Sequence, residues 1–285
     1  SNYSSSGNYQ IAAYYGWDNF LAADRNTNAP KIILTNSQML ANVSALTVSP
    51  FGTDTSTLMV GLENGSVFKV ENANSNSAKW TNISGNEFLG SVSDIEFGIN
   101  ENEIFVTFHN YAVKNVFYSS DGGKNWSSKE GDLPDLPVRT ILQNPIVLNE
   151  VIIGTDLGVW YTKNFNDESP NWVQGYNGMS DVRITDLDLR DDYSVFAATY
   201  GRGIFSSNFS SDGPLLQLNL SKNSIKIDQG GEESFKVKYR VFSAYNADTE
   251  FSITGFPSIL KCSIKDIAYH IIALSSPYPT SRSAL

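Results

Sequence analysis

Short apolar runs, broken by turns rich in glycine, asparagine and aspartate, recur along most of the chain. None of these runs shows the 3.6-residue period of an amphipathic helix, and several alternate apolar with polar positions. Representative turns are Glu63-Asn64-Gly65, Asp156-Leu157-Gly158 and Gly201-Arg202-Gly203. Glycine, asparagine and aspartate favour tight turns, so the pattern indicates strands joined by hairpins. We predict an all-β structure.

The strand-like runs repeat with a period of about 46 residues. Trp80, Trp126 and Trp172 are spaced 46 residues apart. Three further runs precede each tryptophan, so one repeat holds four short strands. Four antiparallel strands every 40 to 50 residues are typical of a β-propeller blade. The predicted blade repeats lie near 9–42, 43–91, 92–137, 138–183 and 184–209.

The two outer repeats are partial. In the first, Ile11–Tyr14 is predicted as the second strand, Phe20-Leu21 as the third and Lys31–Leu34 as the outer strand. The last repeat shows only the front of a blade. Closed propellers need at least four blades, so we expect an incomplete propeller over residues 1–210 whose remaining blades lie in a longer parent chain.

The repeat disappears after residue 210. Alternating runs such as Leu216–Leu220 and Phe235–Tyr239 resemble the opening strands of a bacterial immunoglobulin-like module. We predict a partial module of this kind, a small β-sandwich-like segment, over residues 211–260. Residues 261–285 are predicted to form an irregular tail.

One turn carries a recognisable motif, S-x-D-x-G-x-x-W, formed by Ser119, Asp121, Gly123 and Trp126. The motif resembles the Asp-box (BNR repeat) of sialidase-like and sortilin-like β-propellers. In those families the box lies on the outer hairpin of a blade, which implies a structural role. The matched turns before Trp80 and Trp172 carry Asn72 and Asn164 in place of the aspartate and are longer, which agrees with that implication.

Composition excludes several classes of function. The net charge is −10 and lysine and arginine do not cluster, which disfavours a nucleic-acid partner. Cys262 is the only cysteine and only two histidines are present, so we predict no intrachain disulfide, no metal centre and no cofactor. No apolar run is long enough to span a membrane.

Three carboxylates are candidates for catalysis. Asp94 and Asp186 occupy matched positions on first strands and are predicted to line the channel, where a suitable pair could cleave a glycoside. Asp156 lies in a phrase that resembles the catalytic segment of some xyloglucan-cleaving propellers, and that phrase equally fits a plain turn. Sialidases need an arginine triad, and Arg139, Arg183 and Arg202 lack the accompanying motif. His109 could be imagined in a catalytic triad with Asp94 and a serine, but the sequence contains no G-x-S-x-G nucleophile elbow.

We therefore expect a secreted or cell-surface propeller that binds a protein or a glycan through loops at one face, without catalysis. Two alternatives remain open at this point. One is a glycoside hydrolase of the sialidase or xyloglucanase type, and the other is a structural scaffold within a surface protein. Propellers host all three, so the fold alone does not choose among them.

Overall fold

The computed structural model describes residues 2–3, 9–14, 30–52, 55–175, 181–190, 193–209, 215–220, 232–242, 261–265 and 270–275. They divide into two compact units, Ser1–Phe209 and Ser210–Leu285. The predicted all-β class is confirmed, since every regular element is a strand. The described ranges contain no helix, and so none that could cross a membrane.

The first unit contains three complete four-stranded antiparallel sheets, here named blades 1 to 3. Blade 1 comprises β4 (Val43–Val48), β5 (Leu58–Leu62), β6 (Val67–Glu71) and β7 (Lys79–Asn82); blade 2 comprises β8 (Val92–Phe97), β9 (Ile104–Phe108), β10 (Val116–Ser119) and β11 (Ser127–Ser128); blade 3 comprises β12 (Val138–Gln143), β13 (Val151–Thr155), β14 (Gly158–Thr162) and β15 (Val173–Gly175). The strands follow the predicted four-strand repeat.

Two three-stranded sheets flank these blades in the chain. Blade 4 comprises β16 (Ile184–Leu189), β17 (Ser194–Thr199) and β18 (Gly203–Asn208), and the N-terminal sheet comprises β1 (Asn2–Tyr3), β2 (Tyr9–Tyr14) and β3 (Lys31–Leu34). The prediction for Ile11–Tyr14 is wrong in one respect. These residues pair directly with β3, with Ile11 opposite Leu34, so β2 is the middle strand of its three-stranded sheet and its neighbour is Lys31–Leu34 rather than Phe20-Leu21. Phe20-Leu21 lies outside the described residues.

The apolar core lies between successive blades. One cluster joins Met59 of blade 1 to Ile95 and Val106 of blade 2, and another joins Val116 of blade 2 to Ile153 of blade 3. Each first strand also begins with a register shift, at Val43/Ala45, Val92/Asp94, Val138/Thr140 and Ile184/Asp186. Because the bulge falls at the same position in all four first strands, the side chains that follow it point in equivalent directions in each blade.

The second unit contains one antiparallel sheet with the strand order β19-β20-β22-β21. Its strands are β19 (Leu215–Leu220), β20 (Glu232–Phe242), β21 (Lys261–Lys265) and β22 (His270–Ser275). Part of the predicted irregular tail thus forms strands, since residues 270–275 carry consecutive β-branched and apolar residues that pair with β20 and β21. The immunoglobulin-like assignment stays a prediction, because much of 211–260 lies outside the described residues.

Candidate functional site

The turns between second and third strands lie at the same end of the sheets as the connections between blades, because strand direction alternates within each sheet. Backbone hydrogen bonds tie the two kinds of loop together. Glu63 N–H donates to the carbonyl of Asn42 at 3.0 Å, and Tyr200 N–H donates to that of Arg183 at 2.9 Å. We call this end the loop face. It consists of residues 35–42, 63–66, 83–91, 109–115, 129–137, 156–157, 181–183 and 200–202.

The loop face holds a cluster of charged side chains around Asp156. Arg139, in the bulge of β12, donates from Nε to Asp156 Oδ1 at 2.7 Å, and Arg183 Nε forms an ion pair with the same oxygen at 3.1 Å. The Arg183 guanidinium carbon lies 5.5 Å from the centre of the Tyr200 ring. Asp156 is therefore shared by two cations, and its turn brings together two arginines and an exposed aromatic ring.

His109 lies beside this arginine cluster. Burial lowers the pKa of His109 below its usual value, and the positive charge of Arg139 lowers it further. Its Nδ1 is buried and makes no hydrogen bond within the described residues. The charged side chains that act on the pKa of His109 are Arg139 and Asp156, so the structure groups His109 with the arginine cluster rather than with Asp94.

Asp94 links neighbouring blades. Its Oδ1 accepts the N–H of Ile95 at 2.8 Å, and its Oδ2 accepts the N–H of Ile141 in blade 3 at 3.0 Å. Thr140, the matched residue one blade later, accepts the N–H of Leu187 in blade 4 at 3.2 Å. Asp94 and Thr140 thus make the same bond to the next first strand, which explains how either residue type serves at this position.

Acidic side chains gather around the first strands of blades 2 and 4. Burial raises the pKa of Asp94 to about 6, and burial together with the charges of Asp94, Asp186 and Asp188 raises the pKa of Glu96 to about 8. Burial also raises the pKa of Asp186. Sequence reasoning missed Glu96, although its position two residues after Asp94 places it on the same side of the strand.

The three predicted carboxylates do not form one site. Asp94 and Asp186 lie close enough for the charge of Asp186 to raise the pKa of Asp94, whereas Asp156 belongs to the arginine cluster. Across the part of the chain that the structure describes, no three histidine, cysteine, aspartate or glutamate side chains are arranged to hold a metal ion.

The predicted Asp-box forms a closed network of hydrogen bonds. Asp121 Oδ1 accepts the N–H groups of Lys124 and Asn125 at 3.0 and 2.9 Å and the hydroxyl of Ser119 at 2.8 Å. These bonds lower the pKa of Asp121 to about 2. Gly123 has a positive φ of 86° and lies against Ile83, where a Cβ would approach that side chain to 2.8 Å.

Apolar and aromatic side chains are exposed on the loop face. Leu40 is 74% exposed and Tyr200 is 73% exposed, and Leu89, Tyr111 and Leu157 are exposed as well. These residues come from loops of all four blades. Arg183 and Arg202 also belong to the loop face, together with acidic residues such as Glu63, Glu87 and Asp135.

No family model matches the chain, and no curated protein matches it. Among solved structures, Raptor of Chaetomium thermophilum is 13% identical, with a TM-score of 0.50 over 89% of this chain and 26% of that one. YCF48 from Cyanidioschyzon merolae is 14% identical, with a TM-score of 0.45 over 90% of this chain and 76% of that one. The GH74 enzyme of Niastella koreensis is 13% identical, with a TM-score of 0.43 over 58% of this chain and 28% of that one.

The likeness to Raptor concerns the fold alone. This chain spans about a quarter of the length of the Raptor and Niastella koreensis structures.

Proposed function

We propose that this chain is a non-catalytic binding module that recognises a protein ligand through the loop face. The supporting observation is the exposure of Leu40, Leu89, Tyr111, Leu157 and Tyr200 at one end of the blades. Tyrosine and arginine contribute heavily to protein interfaces, and exposed leucines add apolar area that a glycan would leave uncovered. A secreted or cell-surface location is part of this proposal and rests on the Asp-box resemblance.

The state of Asp156 also supports binding over catalysis. The Asp156 carboxylate accepts a hydrogen bond from Arg139 and forms a second ion pair with Arg183, so the oxygen that a substrate would need is already held by two side chains of the chain itself. The same ion pairs hold Arg183 beneath the exposed Tyr200 ring, giving a fixed aromatic platform that can contact a partner with little loss of side-chain entropy.

The test uses the full 285-residue chain, labelled with a fluorophore, on arrays of secreted and surface proteins and of glycans. We expect protein partners whose signal is lost with Tyr200→Ala and with Leu157→Ser. Ile99→Ser is the matched control, because Ile99 is an exposed apolar residue in the turn between β8 and β9 at the opposite end of blade 2. Glycan binding alone, or protein binding that Ile99→Ser reduces equally, would contradict the proposal. Binding to neither array would favour a plain scaffold.

One observation favours a second candidate, a glycoside hydrolase. Glu96, with a pKa of about 8, keeps its proton at neutral pH and lies near Asp94, Asp186 and Asp188. A protonated acid beside ionisable carboxylates is the arrangement that glycoside cleavage uses. Release of reducing sugar from xyloglucan, abolished by Glu96→Gln and retained by Asp121→Asn, would establish this candidate in place of the first.

A further inference from the structure

A cavity of about 680 Å³ lies between blades 3 and 4. Its blade 3 wall includes Val173, Gln174 and Gly175 of β15, and its blade 4 wall includes Ala197 of β17 and Phe205 of β18. Val195 and Leu187 add buried apolar surface. The volume falls within the range of about 300–1,000 Å³ that is typical of ligand pockets.

In two earlier interfaces a tryptophan packs at the corresponding place. The indole N–H of Trp126 in blade 2 donates to the carbonyl of Ile83, just after β7 of blade 1, at 2.7 Å. The indole N–H of Trp172 in blade 3 donates to the carbonyl of Lys129, just after β11 of blade 2, at 3.0 Å. Each tryptophan lies just before the fourth strand of its own blade. The carbonyl that accepts its indole N–H lies 43 residues earlier in the chain.

The strand registers identify the equivalent acceptor in blade 3. Phe68 pairs with Asn82, Phe117 with Ser128 and Trp160 with Gln174, one pair in each blade. The next residues along the fourth strands are therefore Ile83, Lys129 and Gly175. Gly175 lines the cavity, so the cavity adjoins the position whose carbonyl accepts an indole N–H in the two preceding interfaces.

The wall on the blade 4 side is matched as well. Phe205 is opposite Ala197, as Phe117 is opposite Val106, so Phe205 and Phe117 are equivalent. Phe117 lines the small pocket that contains Trp126, and Phe205 lines the cavity. The cavity is therefore lined by Gly175, which is equivalent to the two indole acceptors, and by Phe205, which is equivalent to Phe117.

Blade 4 differs from the others in its outer strand. Within the described residues, no strand pairs with the outer edge of β18. The spacing of 46 residues after Trp172 falls on Leu218, and the five tryptophans of the chain include none after Trp172. Leu218 belongs to β19, which pairs with β20 in a different sheet. Among the described residues, neither an indole nor a strand occupies the place that Trp172 and β15 hold in blade 3.

We propose that this edge and cavity bind an extended strand of a separate polypeptide that carries a tryptophan. The strand pairs antiparallel with β18, and its indole enters the cavity and donates its N–H to the Gly175 carbonyl. Strand addition supplies main-chain hydrogen bonds, and a side-chain pocket supplies specificity. This site is distinct from the loop face and does not depend on the function proposed there.

The probe is a synthetic peptide with the sequence of residues 169–176, the native fourth-strand segment around Trp172, added to the full chain. We expect saturable binding by calorimetry. The same peptide with alanine in place of its tryptophan should bind about thirtyfold more weakly, as expected for loss of a central aromatic anchor. Because this comparison changes only the peptide, it does not depend on how a protein variant folds. Absence of binding, or equal binding of the two peptides, would overturn the proposal.

A protein variant locates the site. Ala197→Leu places a larger side chain in the cavity and should abolish peptide binding while the thermal melt stays cooperative. Its matched control is Ile99→Ser, which lies at a turn remote from β18 and should bind normally. Hydrogen exchange should show new protection at the amides of β18 on peptide binding. Protection confined to other strands, or unchanged binding by a folded Ala197→Leu protein, would also overturn the proposal.

Discussion

In blade 2 the connection from the third to the fourth strand takes five steps from Asp121 to Trp126, whereas in blade 3 it takes eight steps from Asn164 to Trp172. The shorter connection is closed from within, by the Asp121 carboxylate. The longer one is closed from within by Asn164, whose Oδ1 accepts the N–H of Asn171 at 3.0 Å, and is also held from outside. Asp132, in the connection after blade 2, accepts the N–H of Trp172 at 2.6 Å, and Lys129 donates to the carbonyl of Asp167.

Some parts of the two connections are the same. Thr162 donates its hydroxyl to Asn164 Oδ1 at 2.9 Å, as Ser119 does to Asp121. The backbone N–H after each box position bonds to a residue two before the second strand, Gly122 to Asn102 and Phe165 to Asn149. The difference teaches that the anchored tryptophan is common to both connections. The short turn is closed by its own carboxylate, whereas the long turn combines a local asparagine with contacts to the neighbouring blade.

The largest expected loss of stability comes from replacing the tryptophans, which tests whether they anchor both connections. Trp172 is only 5% exposed and its indole N–H donates to the Lys129 carbonyl, so Trp172→Ala should lower the free energy of unfolding by about 3–5 kcal/mol. Trp126 is partly exposed, and Trp126→Ala should cost less. Urea unfolding followed by circular dichroism gives both values. Equal stability of wild type and Trp172→Ala would refute the anchoring role.

A second test uses a difference on the first strands, where Glu96 of blade 2 corresponds to Leu142 of blade 3. The folded-state pKa of Glu96, about 8, lies above its ordinary value of 4.5, so the folded protein binds a proton that the unfolded chain releases. The stability of the wild type should therefore fall as pH rises from about 4.5 to about 8. Glu96→Gln should flatten this fall in thermal melts. Parallel pH profiles for the two proteins would show that Glu96 ionises normally.

Asp132 tests whether blade 3 depends on its neighbour. Asp132→Ala removes the acceptor of the Trp172 N–H, and we expect a clear loss of stability that is smaller than that of Trp172→Ala. Asn86→Ala is the control, because Asn86 lies 46 residues earlier, in the connection after blade 1, near Trp126. If the two variants melt alike, the cross-blade contact is unimportant and the comparison loses its basis.

The smallest expected effect is that of replacing Asp121, whose carboxylate closes the turn before Trp126 with hydrogen bonds inside that turn. Asp121→Asn keeps an oxygen acceptor and should be milder than Asp121→Ala. The folded-state pKa of Asp121, about 2, lies below its ordinary value of 3.8, so its carboxylate stabilises the fold above that value and loses this effect as pH falls through about 2. The melting temperatures of wild type and Asp121→Asn should therefore converge between about pH 4 and pH 2. A constant difference over that interval would contradict the hydrogen-bond account.

Local pattern was sufficient to predict most strands of the first unit. Runs such as Val92–Phe97 combine β-branched residues with flanking turns, and the spaced tryptophans located the fourth strands. Features that depend on pairing between distant residues were harder to predict. The partner of Ile11–Tyr14 is Lys31–Leu34, across a connection of 16 residues, and nothing local identified it.

The candidate site was less predictable for the same reason. Asp156 was identified as a turn residue, but its ion pairs join the turn to Arg139 in the bulge of β12 and to Arg183 in the connection to blade 4. The pKa of Glu96 is raised first by burial, then by Asp94 on its own strand, and then by Asp186 and Asp188 about 90 residues away. No spacing rule anticipates that burial or the distant pair. Exposure of Leu40 and Tyr200 likewise depends on which residues their neighbours leave uncovered.

The separation of 43 residues between each indole and its acceptor also affects the order in which contacts can form during synthesis. The indole that holds the end of one blade is encoded 43 residues later, so it leaves the ribosome about 2–9 s after its acceptor at ordinary rates of elongation. Ile83 and Phe88 are buried in the folded chain in one cluster with side chains of blade 2, and Trp126 packs against it. A nascent chain that ends before Trp126 therefore lacks part of the apolar cover of blade 1.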